Sequence, residues 1–559
     1  MDTVGIFTKK NIEILKLLSE ESLHIRDIAH RLNISPAKVH STIQLLKKHS
    51  LAKETKEKNR LVISLNKESP LLNEILSILN IENEKASFEP KINLFDSIGP
   101  LDYRYYARSE KIFAKLQPYL SENAMIRYMA KVEAALTKVL AKKGICSIEI
   151  AEEVEKACRQ VNAKEVYLEE DKLKHNVRAL ANCIRNKVSD KAKPFVHFTA
   201  TSHDIICSAD AARFRDFTNE VLVPELVSLL KEIIRIAKRE ARSLQIGRTH
   251  GQHAEPITFG FAIAQYISRL GKRILEIRKT GNDLRGKMAG AVGAYNASSL
   301  VIADPEVFEY DVLSLLGIKP SPVSTQVVEA EYLTDFVHTV VSTLGVLANL
   351  ADDMRHLQRS EIAEVAEEFK AEQVGSSTMP HKRNPINFEN IKSFWKEFMP
   401  RMNTVYMDQI CEHQRDLTNS ASSRFIPEIL AGLYLSCKRM RKVMENLIVD
   451  KQSLERNFSL NKDMVTAEPL YILLALYNHP DAHECVRKLT VESQKKKVPL
   501  QKLALEDKEL KRYLSKMNSS QNEVIQNPEK YTGIAERKTL SICREWEEKI
   551  KGDLSSGRL

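Results

Sequence analysis

The densest run of chemically useful side chains is Gly375-Ser376-Ser377-Thr378-Met379-Pro380-His381-Lys382-Arg383-Asn384-Pro385. Small residues, two prolines that interrupt helix and adjacent cations describe a polar loop whose backbone amides and Lys382 can hold an anion. The same residues also suit a plain surface loop capped by serines, so chemistry alone leaves both readings open. A second run, Gly247-Arg248-Thr249-His250-Gly251-Gln252-His253-Ala254-Glu255-Pro256, places two histidines among glycines, between two long helices and at the start of one. Imidazole moves protons near neutral pH, which marks this run for acid–base work, although a lone histidine is more often structural. The third run, Phe195-Val196-His197-Phe198-Thr199-Ala200-Thr201-Ser202-His203-Asp204, has the hydroxyl and carboxylate spacing of a helix N-cap.

Such loops need rigid elements on either side. From about residue 95 onward the chain reads as a succession of long amphipathic helices. Leu222, Leu226, Leu229, Ile233 and Ala237 step by three or four, as do Leu333, Phe336, Val340, Leu344 and Leu347. Helices of this kind joined by polar loops predict an all-α bundle whose sites form where several helices converge. The 559 residues exceed one ordinary core, so several domains are expected, and 43% hydrophobic with 28% charged residues excludes a disordered chain. No run approaches eighteen apolar residues, and Glu13 and Glu20 interrupt the N-terminal segment, so neither a membrane span nor a secretory leader is expected. The eight cysteines are scattered without a CxxC pair, which points to reduced thiols in the cytoplasm and to no zinc site. No Gly-rich dinucleotide loop is present, and no cofactor or metal is expected.

All three runs resemble the signature regions of the fumarase, aspartase and adenylosuccinate lyase superfamily, in the family's order and with similar intervals, and the MPHKRNP ending is most similar to the adenylosuccinate branch. The resemblance spans about Asp102 to Tyr513. It implies a fumarase/aspartase-like helical fold, with lyase domains over 95–205, 206–455 and 456–559. It also implies an anti elimination that breaks a C–N bond and releases fumarate. In that scheme Ser376 is the base, with Ser377 as its less favoured neighbour, and His250 is the acid. Thr201, Ser202, Lys382, Asn384 and Gln326 hold the succinyl carboxylates, while Asp204 orients a neighbouring base. A serine is a weak base, so its alkoxide needs Lys382, loop amides or a helix N-terminus, and closure of the 375–385 loop would exclude water. Thr249, Met379, His175 and His197 fall beside these motifs. Arg104 and Tyr105 resemble the pair that contacts the nucleotide phosphate. Arg415, Ser420 and Arg424 stand where the family keeps phosphate-binding Arg and Ser residues, although the string EHQRDLTNSASSRF departs from the usual pattern there. Relatives are homotetramers with sites shared between subunits, and the nucleotide substrates are expected to be adenylosuccinate and the succinyl-carboxamide ribotide.

Two relatives compete. Argininosuccinate lyases usually carry Gln-Lys-Lys where this chain has His381-Lys382-Arg383, and carboxymuconate cycloisomerases typically lack the acid histidine present here as His250. A reading of another class comes from residues 1–67, which hold 13 Lys/Arg against 7 Asp/Glu. Apolar positions at Ile12, Leu15 and Leu18, then Ile25, Ile28, Ala29 and Leu32, then Val39, Ile43 and Leu46 predict three short helices. Ser35-Pro36 starts the third, and a strand pair follows Leu51 with Leu61, Ile63 and Leu65 on one face. This resembles a winged helix-turn-helix over 1–70, with a linker over 71–94. Lys38, His40, Gln44, Lys47 and Lys48 line the third helix's polar side, where they can contact DNA. The chain would then be a regulator using a lyase scaffold as ligand sensor, or an enzyme with an added binding module.

Overall fold

A computed structural model describes residues 8–57, 60–66, 68–69, 72, 75, 98–99, 101–369 and 378–554, and the chain falls into two compact units, Met1–Lys91 and Ile92–Leu559. The first unit has three helices, α1 (Lys9–Glu20), α2 (Ile25–Arg31) and α3 (Pro36–Lys48), followed by the antiparallel pair β1 (Ala52–Glu57) and β2 (Arg60–Leu65). Ser35 Oγ accepts from the Lys38 amide and Pro36 sits in the first turn of α3, as the sequence predicts. Asn33 takes the left-handed backbone that closes α2 against α3. Ile14, Leu15, Ile28, Val39, Ile43, Leu46 and Ile63 make the core. Leu61, on the Ile63 face, is 52% exposed, because only the base of the ribbon reaches the helices. Leu72 and Ile75, expected in the linker, are buried in this core, and most of the remaining linker lies outside the described residues.

The second unit is mostly helical. Its first helices are α4 (Glu110–Leu120), α5 (Glu122–Lys142), α6 (Ile148–Gln160), α7 (Ala163–Leu173), α8 (Asn176–Arg185) and α9 (Ser202–Phe217). The bundle proper is α10 (Val223–Arg239), α11 (Phe259–Asn282), α12 (Pro305–Leu315), α13 (Ala330–Leu357), α14 (Ile386–Phe398), α15 (Arg401–Met407) and α16 (Ile426–Glu445). The predicted stripes on α10 and α13 are buried, except Leu333, which is half-buried. α13 is apolar around much of its girth because α11, α14 and α16 all pack on it. α11 and α13 run antiparallel: Arg269 bonds Asn349 at 2.7 Å and Arg273 bonds Ser342 at 3.4 Å.

One apolar cluster runs from Leu116 to Ile550, so α5 to α9 share their core with the bundle. Residues 470–525 form a small core of their own, whereas the last helix, α17 (Ala535–Lys549), returns to the bundle, where Trp546 lies against Gly271 of α11. Besides the β1–β2 ribbon that the sequence predicts, three short strand pairs among the described residues interrupt the all-α expectation: the hairpin β3 (Leu244–Thr249) and β4 (Gln252–Thr258), the parallel pair β5 (Arg285–Gly286) with β6 (Lys319–Pro320), and β7 (Val365–Ala366) with β8 (Ile448–Val449). These three sit where the loops between long helices must be tied together.

Candidate active site

His250 sits at the tip of a hairpin rather than at the start of a helix. Thr249 pairs with Gln252, and His250 (φ 53°) and Gly251 (φ 77°) form the two-residue turn between them. Both φ values are positive, the geometry that matches the twist of a hairpin and that glycine adopts without strain. The imidazole of His250, like Thr249 beside it, is exposed. The stem is fixed from below by Glu364, a fully buried carboxylate that accepts from Gln245 Nε2 (2.7 Å), Arg248 Nη2 (2.6 Å) and Asn457 Nδ2 (2.8 Å). Burial and the Arg248 charge push the His253 imidazole below its ordinary range, so the second histidine of the motif is neutral at pH 7.

Gly375, Ser376 and Ser377 lie outside the described residues. Beyond them Met379 and Lys382 are exposed, the Lys382 amide donates to Met379 O at 3.0 Å, and Asn384 is half-buried. The Arg383 guanidinium stacks over Phe369 at 5.3 Å, and its carbonyl accepts from Gln358. Glu367, which sequence reading passed over, ties the chain ahead of this run to the first turn of α14. Its Oε1 accepts from the amides of Asn387 and Phe388, both at 3.0 Å, and its Oε2 from Asn387 Nδ2 at 2.6 Å. Burial raises its carboxyl above the usual range despite these donors. Asn387 also accepts from Arg439 Nη1 at 2.7 Å. Arg439 and Asn387 line a cavity of about 1,010 Å³ with Arg104, Tyr105 and Lys438. Arg439 was missed as well; an arginine interrupting the Leu435–Val443 stripe of α16 is its signal.

The third motif gathers elsewhere. Thr201 caps α9, and its amide donates to Asp204 Oδ2 at 2.8 Å. Asp204 itself, expected to face substrate and orient a base, is fully buried and occupied internally. It is paired with the equally buried Lys287 and accepts from the amides of Ala289 and Gly290, both at 3.2 Å. Through these contacts it anchors the 287–290 turn. Thr201 and Ser202 remain half-exposed beside it. His203 is held neutral: burial first, then the Lys287 and Arg415 charges, push its imidazole down. The Gln326 backbone N–H donates to Gln414 O at 3.2 Å, which brings Gln326 beside Arg415. Arg415 (φ 119°) holds a backbone conformation costly for a side-chain residue, its Nη1 donates to Asp408 O, and its Nε is buried without a partner. His197, half-buried with φ 62°, bonds Glu133 of α5. His175 caps α8 through the Arg178 amide, and Ser420 and Arg424 are exposed.

One chain therefore holds the predicted residues in two groups. Arg248, His250, Lys382, Asn384, Arg104 and Tyr105 lie toward the C-terminal end of α13. Thr201, Ser202, Gln326 and Arg415 lie beyond its N-terminal end. At 1.5 Å per residue the 28 residues of α13 separate the two ends by about 42 Å. The His250 imidazole and the Thr201 and Ser202 hydroxyls therefore lie at opposite ends of α13.

A family profile described as lyase matches residues 103–397, and one described as adenylosuccinate lyase C-terminal matches 411–528. The chain is 30% identical over 460 residues to the adenylosuccinate lyase of Archaeoglobus fulgidus, covering 81% of this chain and 100% of that one. It is 32% identical over 467 residues to that of Pyrococcus abyssi, covering 79% and 100%. Among solved structures it shares its fold with the 3-carboxy-cis,cis-muconate lactonizing enzyme of Pseudomonas putida, with TM-score 0.68, 20% identity and coverage of 80% and 99%. A fumarate lyase of a Mesorhizobium species matches similarly, with TM-score 0.68, 19% identity and coverage of 77% and 97%.

Proposed function

The chain belongs to the adenylosuccinate lyase family, and from that premise we propose that it eliminates fumarate from adenylosuccinate, giving AMP, and from succinyl-aminoimidazole-carboxamide ribotide. The observation that carries the reading is the outward-facing His250 on a stem braced by Glu364, an acid held rigidly for a group that arrives from outside its own chain. A base removes the proton from the carbon beside a succinyl carboxylate. The electron pair first resides in the aci-carboxylate and then forms the fumarate double bond as the C–N bond breaks, and His250 protonates the departing nitrogen. Ser376 is the base, assisted by Lys382. Thr201, Ser202 and Gln326 bind the carboxylates. Arg104, Tyr105 and the strained Arg415 meet the phosphate, for which a guanidinium fork is well shaped.

The separation across α13 supports a homotetramer in which several copies build each site, and gel filtration with light scattering is expected to give four times the chain mass. A monomer that turned over substrate would refute shared sites. All eight cysteines are free, in keeping with a reducing cytoplasmic setting. The direct test is incubation with adenylosuccinate, following AMP and fumarate by ultraviolet absorbance. His250→Gln and Ser376→Ala are each expected to abolish turnover while the oligomer persists.

A second reading applies to the first unit, which we propose is a winged helix-turn-helix that binds DNA. Lys38, Ser41, Gln44 and Lys48 form one exposed polar face of α3, whose N-terminus is capped by Ser35, while Lys47 is engaged by Glu54. In a mobility-shift assay, replacing Lys38 and Lys48 by Glu in the full chain is expected to weaken binding and lower the salt slope by about one per lost phosphate contact. Salt-insensitive binding, or none, would leave the unit as a protein-contact or assembly element.

A further inference from the structure

The loop that delivers His197 folds back through left-handed backbone at both His197 (φ 62°) and Thr199 (φ 64°). Such conformations are costly for a side-chain residue and persist only where the surroundings enforce them. At His197 the group that holds the backbone is Glu133. It lies mid-helix on α5 between Val132 and Ala134, inside an otherwise apolar stretch, and its side chain is fully buried. Its Oε2 accepts from the His197 amide at 3.0 Å and its Oε1 from His197 Nδ1 at 2.7 Å. A carboxylate buried in this way is tolerated only if it is paired and hydrogen-bonded, and His197 supplies both bonds. With Nδ1–H committed to Glu133, Nε2 points away from the carboxylate and is the nitrogen left to meet a ligand. The ring is 17% exposed, so it is reachable.

We propose that Glu133 is a positioning residue for the elimination, fixing the His197 ring so that Nε2–H is offered as a donor to an anionic oxygen of the substrate. This rests on the reading of His197 as a substrate contact. Burial alone would discharge the ring, but the Glu133 carboxylate outweighs it, assisted by Asp204 of α9 and opposed by Arg178 of α8, so the imidazole stays charged above its ordinary range. The Cys158 thiol of α6 also faces Glu133, and burial pushes it well up, so it stays neutral. Sequence reading passes over Glu133 because nothing within its own helix announces a partner 64 residues away.

Two measurements test the proposal on the full-length enzyme. In NMR of histidine-labelled protein, with the His197 signal assigned by its loss in His197→Gln, the ring is expected to titrate at lower pH in Glu133→Gln than in the parent. In steady-state kinetics Glu133→Gln is expected to raise KM about tenfold while kcat changes far less, as for other supports of a charged ligand contact. As pH rises through the imidazole range, its KM should also begin to climb at lower pH than the parent's. The double variant with His197→Gln is expected to match His197→Gln alone, because Glu133 acts through that ring; additive losses would mean a merely structural carboxylate. An unchanged ring titration in Glu133→Gln overturns the proposal directly. A parent-like KM in His197→Gln overturns it through the substrate reading, while the ring titration still shows whether the pair exists. Should Glu133→Gln not fold, Glu133→Asp, which keeps the charge on a shorter arm, replaces it in both measurements.

Discussion

Replacing Asp204 by Asn separates a structural carboxylate from a substrate-binding one. In the folded protein the Asp204 carboxylate is fully buried and receives four donors: Lys287 Nζ and the amides of Thr201, Ala289 and Gly290. Asparagine keeps the shape and one acceptor, but it removes the carboxylate charge paired with the buried Lys287 ammonium, whose other hydrogen bond is to the Gly290 carbonyl at 2.8 Å. Breaking one half of a buried pair typically costs about 3–5 kcal/mol, which is roughly a thousandfold in the unfolding constant. Replacing both partners with apolar residues, Asp204→Leu with Lys287→Met, is expected to recover much of that loss, because the uncompensated charge disappears. The assay is denaturant unfolding followed by tryptophan fluorescence, since Trp395 and Trp546 both report on the bundle. KM is measured in parallel on whatever remains folded, and it is expected to stay within about threefold of the parent for Asp204→Asn, the range of an ordinary indirect effect. A variant of parental stability with a strongly raised KM would refute the structural assignment and return Asp204 to the substrate.

Removing Glu364 as Glu364→Ala strips the Arg248, Gln245 and Asn457 donors of their shared acceptor; a loss of about 3 kcal/mol and a kcat drop of at least about tenfold are expected, and undiminished kcat would mean that the hairpin needs no brace. His203 has a folded-state pKa below its unfolded value, so the folded state resists protonation and loses stability as pH falls through the unfolded imidazole range; His203→Gln is expected to flatten that loss in unfolding curves taken between about pH 7 and 5. A methyl at Gly271 would stand 2.4 Å from Trp546 Cε3, so Gly271→Ala is expected to push α17 off the bundle, shift the fluorescence and cost about 1–3 kcal/mol, whereas an unchanged spectrum would mean that α17 does not seat there.

The amino-acid sequence by itself determined the helices of both units, because their stripes, caps and breakers repeat within four residues: Ser35-Pro36 starting α3 and Leu226, Leu229 and Ile233 on α10 are legible from neighbours alone. It also carried the three motifs in order, which sufficed to name a family. The hairpin at 244–258 escaped it, since strands of six and seven residues wedged between long helices leave too short an alternation, and a His-Gly turn is a weaker signal than Asn-Gly. Tertiary structure alone decided which polar groups are spent internally. Asp204 meets Lys287 across 83 residues, Glu364 meets Arg248 across 116, and Glu133 meets His197 across 64. Whether a carboxylate faces solvent or a buried cation depends on which helices pack over it, and no local pattern records that. The same packing set the motifs at opposite ends of α13: periodicity fixes how long a helix is, but only its antiparallel pairing with α11 fixes which loops share an end.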